Sequence, residues 1–185
     1  MSRERAIELI RDAILSLPQD LKSMLRVAED VDMPDEGRVA AAGALLHWLS
    51  ATNGIPGVRG VLGYVDDVII LRLVLEHLNK LAPDAIAKQA DAAGPLITEL
   101  DGWLKEVRAY LGASAQMLER AMGDAGRLKH KGHTPEECVR SEEAGTWLYG
   151  EILAELVAVD LAEDQVTREL RGLEAIIKPL RDRVR

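Results

Sequence analysis

The chain contains no phenylalanine, and tryptophan, tyrosine and phenylalanine together make up only 3% of its 185 residues. So few aromatic side chains leave no platform on which successive bases could stack. Basic charge is also short: 23 Lys and Arg stand against 31 Asp and Glu, a net charge of −8. That field has the wrong sign for a phosphate backbone, so a nucleic-acid partner is not expected. A single cysteine, Cys138, excludes an intrachain disulfide framework and fits a reducing compartment. Long apolar runs are missing as well. The run 39–51 is interrupted by His47 and Ser50 and is too short to span a bilayer, and the run 61–75 carries Asp66, Asp67 and Arg72. The charged opening Met1-Ser2-Arg3-Glu4-Arg5 is followed by helical spacing rather than by the apolar core of a secretory signal. A cytoplasmic protein is the expectation. The motifs Gly-x-Ser-x-Gly, Gly-x-x-x-x-Gly-Lys-Ser/Thr and His-Glu-x-x-His do not occur, which removes the common catalytic routes. No cofactor is expected.

What is present is helix-forming material. The chain is 48% hydrophobic and 29% charged, enough to bury a core. Ala6, Ile7, Ile10, Ala13, Ile14 and Leu17 mark one face of a first helix, which Pro18 is expected to interrupt before a short second one around Leu21–Ala28. A third helix is predicted over 36–51, a fourth from Tyr64 to the stop at Pro83, and a short one over 84–93. Leu96, Leu100, Trp103, Leu104, Val107, Leu111, Leu118 and Ala121 support one long amphipathic helix. Thr134-Pro135-Glu136-Glu137 reads as a capping box opening another helix that runs on towards Leu170, and Pro179 as a kinked tail. The expected fold is all-α: a multi-helix bundle in one domain over 1–185, with an apolar helical hairpin at about 36–80 packed on long helices of the C-terminal region, 84–185.

The hairpin carries the one distinctive motif. Residues 39–80 read VAAAGALLHWLSATNGIPGVRGVLGYVDDVIILRLVLEHLNK. Ser50, Ile55, Pro56, Leu62, Gly63, Tyr64, Asp66 and Asp67 fall in register, without gaps, on the pattern of an apolar helix, an Asp-Leu-Ile-Pro-Asp turn and Leu-Gly-Tyr-x-Asp-Asp opening a second apolar helix. In this the segment resembles the YkvA-like family, a bacterial domain of unknown function. The resemblance implies a helical hairpin and no established activity. Two of the family's acidic positions are replaced, by Asn53 and Gly57. If the four together made a cation site, Asp66 and Asp67 are the half that carries over.

Read physically, Asn53, Pro56, Gly63, Tyr64, Asp66 and Asp67 form the structural motif of the turn and helix start. Gly54, Gly57, Gly60 and Gly63 permit tight backbone, and Pro56 stiffens the connection. Ala40, Gly43, Ala44 and His47 give a low-relief face for close helix packing. Asp66 and Asp67 fall in the first turn of the second helix, where carboxylates complement the dipole. Asp67 shares a stripe with Leu71, Val74 and Leu78, so it should point partly inward, and either His47 or backbone N–H groups are its expected partner. His47, Asp66 and Asp67 are accordingly the metal-ligand candidates. His77 stands about 16 Å along the helix from Asp66, too far for one ion. His130, His133 and Cys138 have ligand types but no fourth partner. The leading expectation is a non-catalytic protein acting by protein–protein association, with itself or a partner, through Trp103, Met117 and Trp147. Peripheral membrane binding by the 39–75 hairpin and a metal- or ligand-dependent enzyme centred on Asp66 and Asp67 are the alternatives.

Overall fold

The computed structural model describes residues 3–50, 54, 55, 58–93 and 95–183. Asn53, Pro56 and Gly57 lie outside the described residues. Helix α1, Arg3–Glu29, buries one stripe: Ala6, Ile10, Ala13, Ile14, Leu17, Leu21, Met24, Leu25 and Ala28. It runs straight through Pro18, where the sequence predicts a break. A proline inside a helix costs about 3 kcal/mol. Ile14, Leu17 and Leu21 on either side are all fully buried, and each such side chain contributes about 1.5–3 kcal/mol. Burial outweighs the lost hydrogen bond.

Helix α2, Asp35–Leu49, and helix α3, Tyr64–Leu81, are the two arms of the predicted hairpin. A single 3-10 turn, Gly60–Gly63, feeds the second arm. Both arms pack on α1 as well as on each other. The low-relief face of α2 is real: a Cβ at Gly43 would stand 2.7 Å from the Ala125 carbonyl oxygen. Only a glycine lets the two backbones approach so closely.

Helices α4, Pro83–Ala93, α5, Pro95–Thr98, α6, Leu100–Leu111, and α7, Ala115–Ala125, follow. The one long helix expected over 96–121 is thus broken. Gly112 closes α6 at φ 57°, ψ −134°, a region closed to residues with a side chain. The capping box forms as expected: Thr134 Oγ1 accepts from the Glu137 N–H at 3.3 Å, and Glu137 accepts from the Thr134 N–H at 2.8 Å. The helix it opens, α8, Pro135–Arg140, is short, because Ser141 adopts extended backbone and caps the next one. Helix α9, Glu142–Ala158, then α10, Glu163–Leu170, and α11, Leu173–Arg183, complete the chain described. The last of these continues through Pro179 rather than kinking into an irregular tail.

The fold is an all-α multi-helix bundle. Its hydrophobic cluster draws on every helix from α1 to α11, and the hairpin packs on the C-terminal helices α6, α7, α8 and α9. No helix among the described residues is long and apolar enough to cross a membrane.

Candidate functional site

The last turn of α2 and the first turn of α3 meet at the closed end of the hairpin. His47 sits in that last turn, and Ser50 fixes its end by donating from Oγ to the His47 carbonyl at 2.7 Å. Asp66 and Asp67 sit in the first turn of α3. Their role differs from ordinary capping. The helix begins at Gly63 with no side-chain cap, and both carboxylates turn inward. His47, Asp66 and Asp67 are 3%, 0% and 9% exposed. His47 Nε2 lies 3.3 Å from Asp66 Oδ2 and 3.8 Å from Asp67 Oδ1. One ligand atom from each residue falls within 4.8 Å of the others. The predicted His47–Asp67 contact is present at 3.8 Å, but the closer partner of His47 is Asp66.

Asp66 reaches beyond its own helix. Its Oδ2 also accepts the backbone N–H of Gly54 in the connection. Its Oδ1 is buried and has no hydrogen-bond partner among the described residues. A buried acceptor left unmade costs about 1–3 kcal/mol, more when charged. Burial, and then the neighbouring charge of Asp66, push the Asp67 carboxyl well above its ordinary range. Burial and then Asp67 also raise the Tyr64 phenol. The remaining motif residue, Gly63, has φ −62°; the left-handed conformation falls on Gly60, at φ 58°.

The other candidate ligands do not assemble. His77 pairs with Glu36 at 3.7 Å on the surface. His130 and His133 face each other across a turn through Lys131 and Gly132, and His133 stacks on Trp147 with ring centroids 4.1 Å apart. Among the described residues, His47, Asp66 and Asp67 are the group able to hold a metal.

Two charged groups escaped the sequence reading. Asp20 of α1 and Arg72 of α3 form a buried ion pair at 3.0 Å, with the Arg72 guanidinium 4.6 Å over the Trp103 ring. Arg72 stands inside an apolar run, which signals that a partner must exist, but nothing local points to one 52 positions away. Burial raises Asp20 despite the opposing charge of Arg72, so desolvation wins there. A cavity of about 380 Å³ opens beside the pair. Its charges are already matched: Arg72 also donates to the Val68 carbonyl and Ser16 to Asp20. The second group is Glu169 of α10, whose Oε2 accepts the Val61 N–H at 3.0 Å.

Fold and site together define an all-α bundle whose central hairpin encloses a His–Asp–Asp group. Residues 38–73 match a family described as a protein of unknown function (DUF1232), and all three residues of the group fall inside that segment. No curated protein and no solved structure matches the chain.

Proposed function

We propose that this is a cation-binding helical protein, in which His47, Asp66 and Asp67 hold a divalent ion that ties α2 to α3. The observation that carries the reading is the buried Asp66 Oδ1 without a partner, set beside a second buried carboxylate. Among the described residues the ion pairs of Asp66 and Asp67 are to His47 and to no Lys or Arg, which leaves the donor set short of positive charge, and buried charge needs a counter-charge. The enclosure of all three side chains supports a structural ion rather than a catalytic one. The test is thermal melting of chelator-stripped protein with and without divalent cations. An ion at 100 times its Kd adds about 2.7 kcal/mol, which for a chain of this size raises Tm by about 5–10 °C. Asp66→Asn, nearly isosteric, is expected to fold and to lose the rise. If no divalent cation moves the stripped protein, the reading falls, and the group is a hydrogen-bonded core network.

A second reading, association with another copy of the chain, is favoured by α9. Ala144, Leu148 and Ile152 pack inward, yet Tyr149 and Val157 on the outer side remain 45% and 89% exposed. Large apolar side chains left at the surface on one helix are candidates for burial against a partner. The solution mass by light scattering over a concentration series decides it: a dimer supports the reading and a strict monomer ends it. Among the described residues, the apolar side chains of the hairpin that membrane binding would need at the surface are mostly in the core, with Trp48, Leu49, Leu62 and Tyr64 partly buried against it.

A further inference from the structure

The same group of side chains carries a statement about which ion it takes. We infer that the site is built for a borderline first-row transition ion, of the zinc or cobalt kind, rather than for magnesium or calcium. This rests on the cation-binding reading above and adds the chemical class of the ion.

The first argument is the donor set. His47 contributes an imidazole nitrogen, Nε2, and Asp66 and Asp67 contribute one carboxylate oxygen each. Imidazole suits zinc, copper, iron and nickel, whereas magnesium and calcium take oxygen donors. The second argument is number. Calcium takes about 6–8 oxygens and magnesium keeps a near-octahedral shell with several waters. Here three buried side chains supply three donor atoms, at most half the number of ligands that calcium takes.

The third argument is spacing. With metal–nitrogen and metal–oxygen distances of about 2.0–2.2 Å, neighbouring donors of a tetrahedral ion stand about 3.4 Å apart. The His47 Nε2–Asp66 Oδ2 and His47 Nε2–Asp67 Oδ1 separations are 3.3 and 3.8 Å. Two of the three donor pairs therefore lie close to a tetrahedral edge already, and the third, between the two carboxylates, lies within 4.8 Å. Asp66 Oδ2 is the oxygen 3.3 Å from His47 Nε2 and also accepts the Gly54 N–H. Oδ1 is buried without a partner among the described residues, so the carboxylate has acceptor capacity that its protein contacts do not use.

The experiment is a metal titration of the chelator-stripped full chain, using Mg²⁺, Ca²⁺, Mn²⁺, Co²⁺ and Zn²⁺ alone. Calorimetry reads affinity and visible absorption reads the Co²⁺ complex. The expected order is Mg²⁺ and Ca²⁺ weakest, then Mn²⁺, Co²⁺ and Zn²⁺, with Zn²⁺ at least about 100-fold tighter than Mg²⁺. Co²⁺ should give visible bands of low-coordinate intensity that Zn²⁺ bleaches. His47→Asn, which keeps a polar side chain of similar size, should weaken Co²⁺ at least about tenfold and erase the preference over Mg²⁺. Mg²⁺ or Ca²⁺ binding as tightly as Zn²⁺, or His47→Asn leaving the preference intact, overturns the assignment while cation binding stands. Binding of none of the five overturns both.

Discussion

Burial at single residues sets chemistry here as strongly as neighbouring charge does. Cys138 is the clearest case. Burial, and then the charge of Glu137, push its thiol up to about 11. A thiol at that value is about 0.1% thiolate at pH 8, where a free cysteine near 8.5 is about a quarter ionised, so native alkylation should be about 200-fold slower. A thiol-reactive chromophore followed with and without denaturant measures the ratio, and equal rates would contradict the buried thiol. Asp66 and Asp67 are buried side by side, which is why the proposed cation site falls on that pair and not on the more numerous surface acids. Asp20 shows the alternative solution. Its counter-charge is the neighbouring Arg72, held by the chain itself.

At the scale of elements, glycine placement separates helix contacts that are essential from those that are incidental. Gly43→Ala would set a methyl 2.7 Å from the Ala125 carbonyl oxygen and force α2 away from α7. The expected loss is about 1–3 kcal/mol. Gly150→Ala on α9 meets nothing within 4 Å and should gain about 0.5–1 kcal/mol from helix propensity alone. Urea unfolding of the two variants checks both signs. The same scale shows what was legible in the sequence. Helices α2, α3 and α4 lie close to where periodicity and proline put them. The inward turn of Asp67 followed from the stripe through Leu71, Val74 and Leu78. The stripe left the direction of Asp66 open for a physical reason: every residue from Val65 to Leu75 is buried, so α3 has no solvent face over that stretch for periodicity to reveal. The helix ends at Gly112 and Ser141 were missed because each interrupts an apolar pattern that continues on the far side. Pro18 and Pro179 were misread in the opposite sense, as breaks that the surrounding helix overrides.

Across the whole molecule, stability should respond to pH through groups acting in opposite directions. Glu76 of α3 is gripped by both Nη1 and Nη2 of Arg108 of α6 at 2.9 Å. Arg108 holds the Glu76 carboxyl down at about 2, against an ordinary 4.5. Its contribution is therefore complete above pH 4.5 and is lost as pH falls through 2. Arg108→Gln should cost up to about 1 kcal/mol at pH 7, the pair being partly exposed. Unfolding measured at several pH values should show the gap between variant and parent closing as pH approaches 2. A gap constant with pH would contradict this. Asp20 and Asp67 work the other way. Burial raises both, so each favours the folded state at low pH and gives up that contribution as pH rises from 3.8 through its raised value.

The contact between Glu169 and Val61 orders events in time as well as in space. The two residues are 108 positions apart, and the carboxylate fills the space beside Gly60, where the backbone takes its left-handed turn. During synthesis at about 5–20 residues per second, the hairpin arms emerge several seconds before the carboxylate that holds the end of their connection. For that interval the Gly54–Asp66 tie can form while the one from Glu169 cannot. A nascent chain stalled before residue 169 should hold the hairpin arms together while leaving the Val61 amide unlatched.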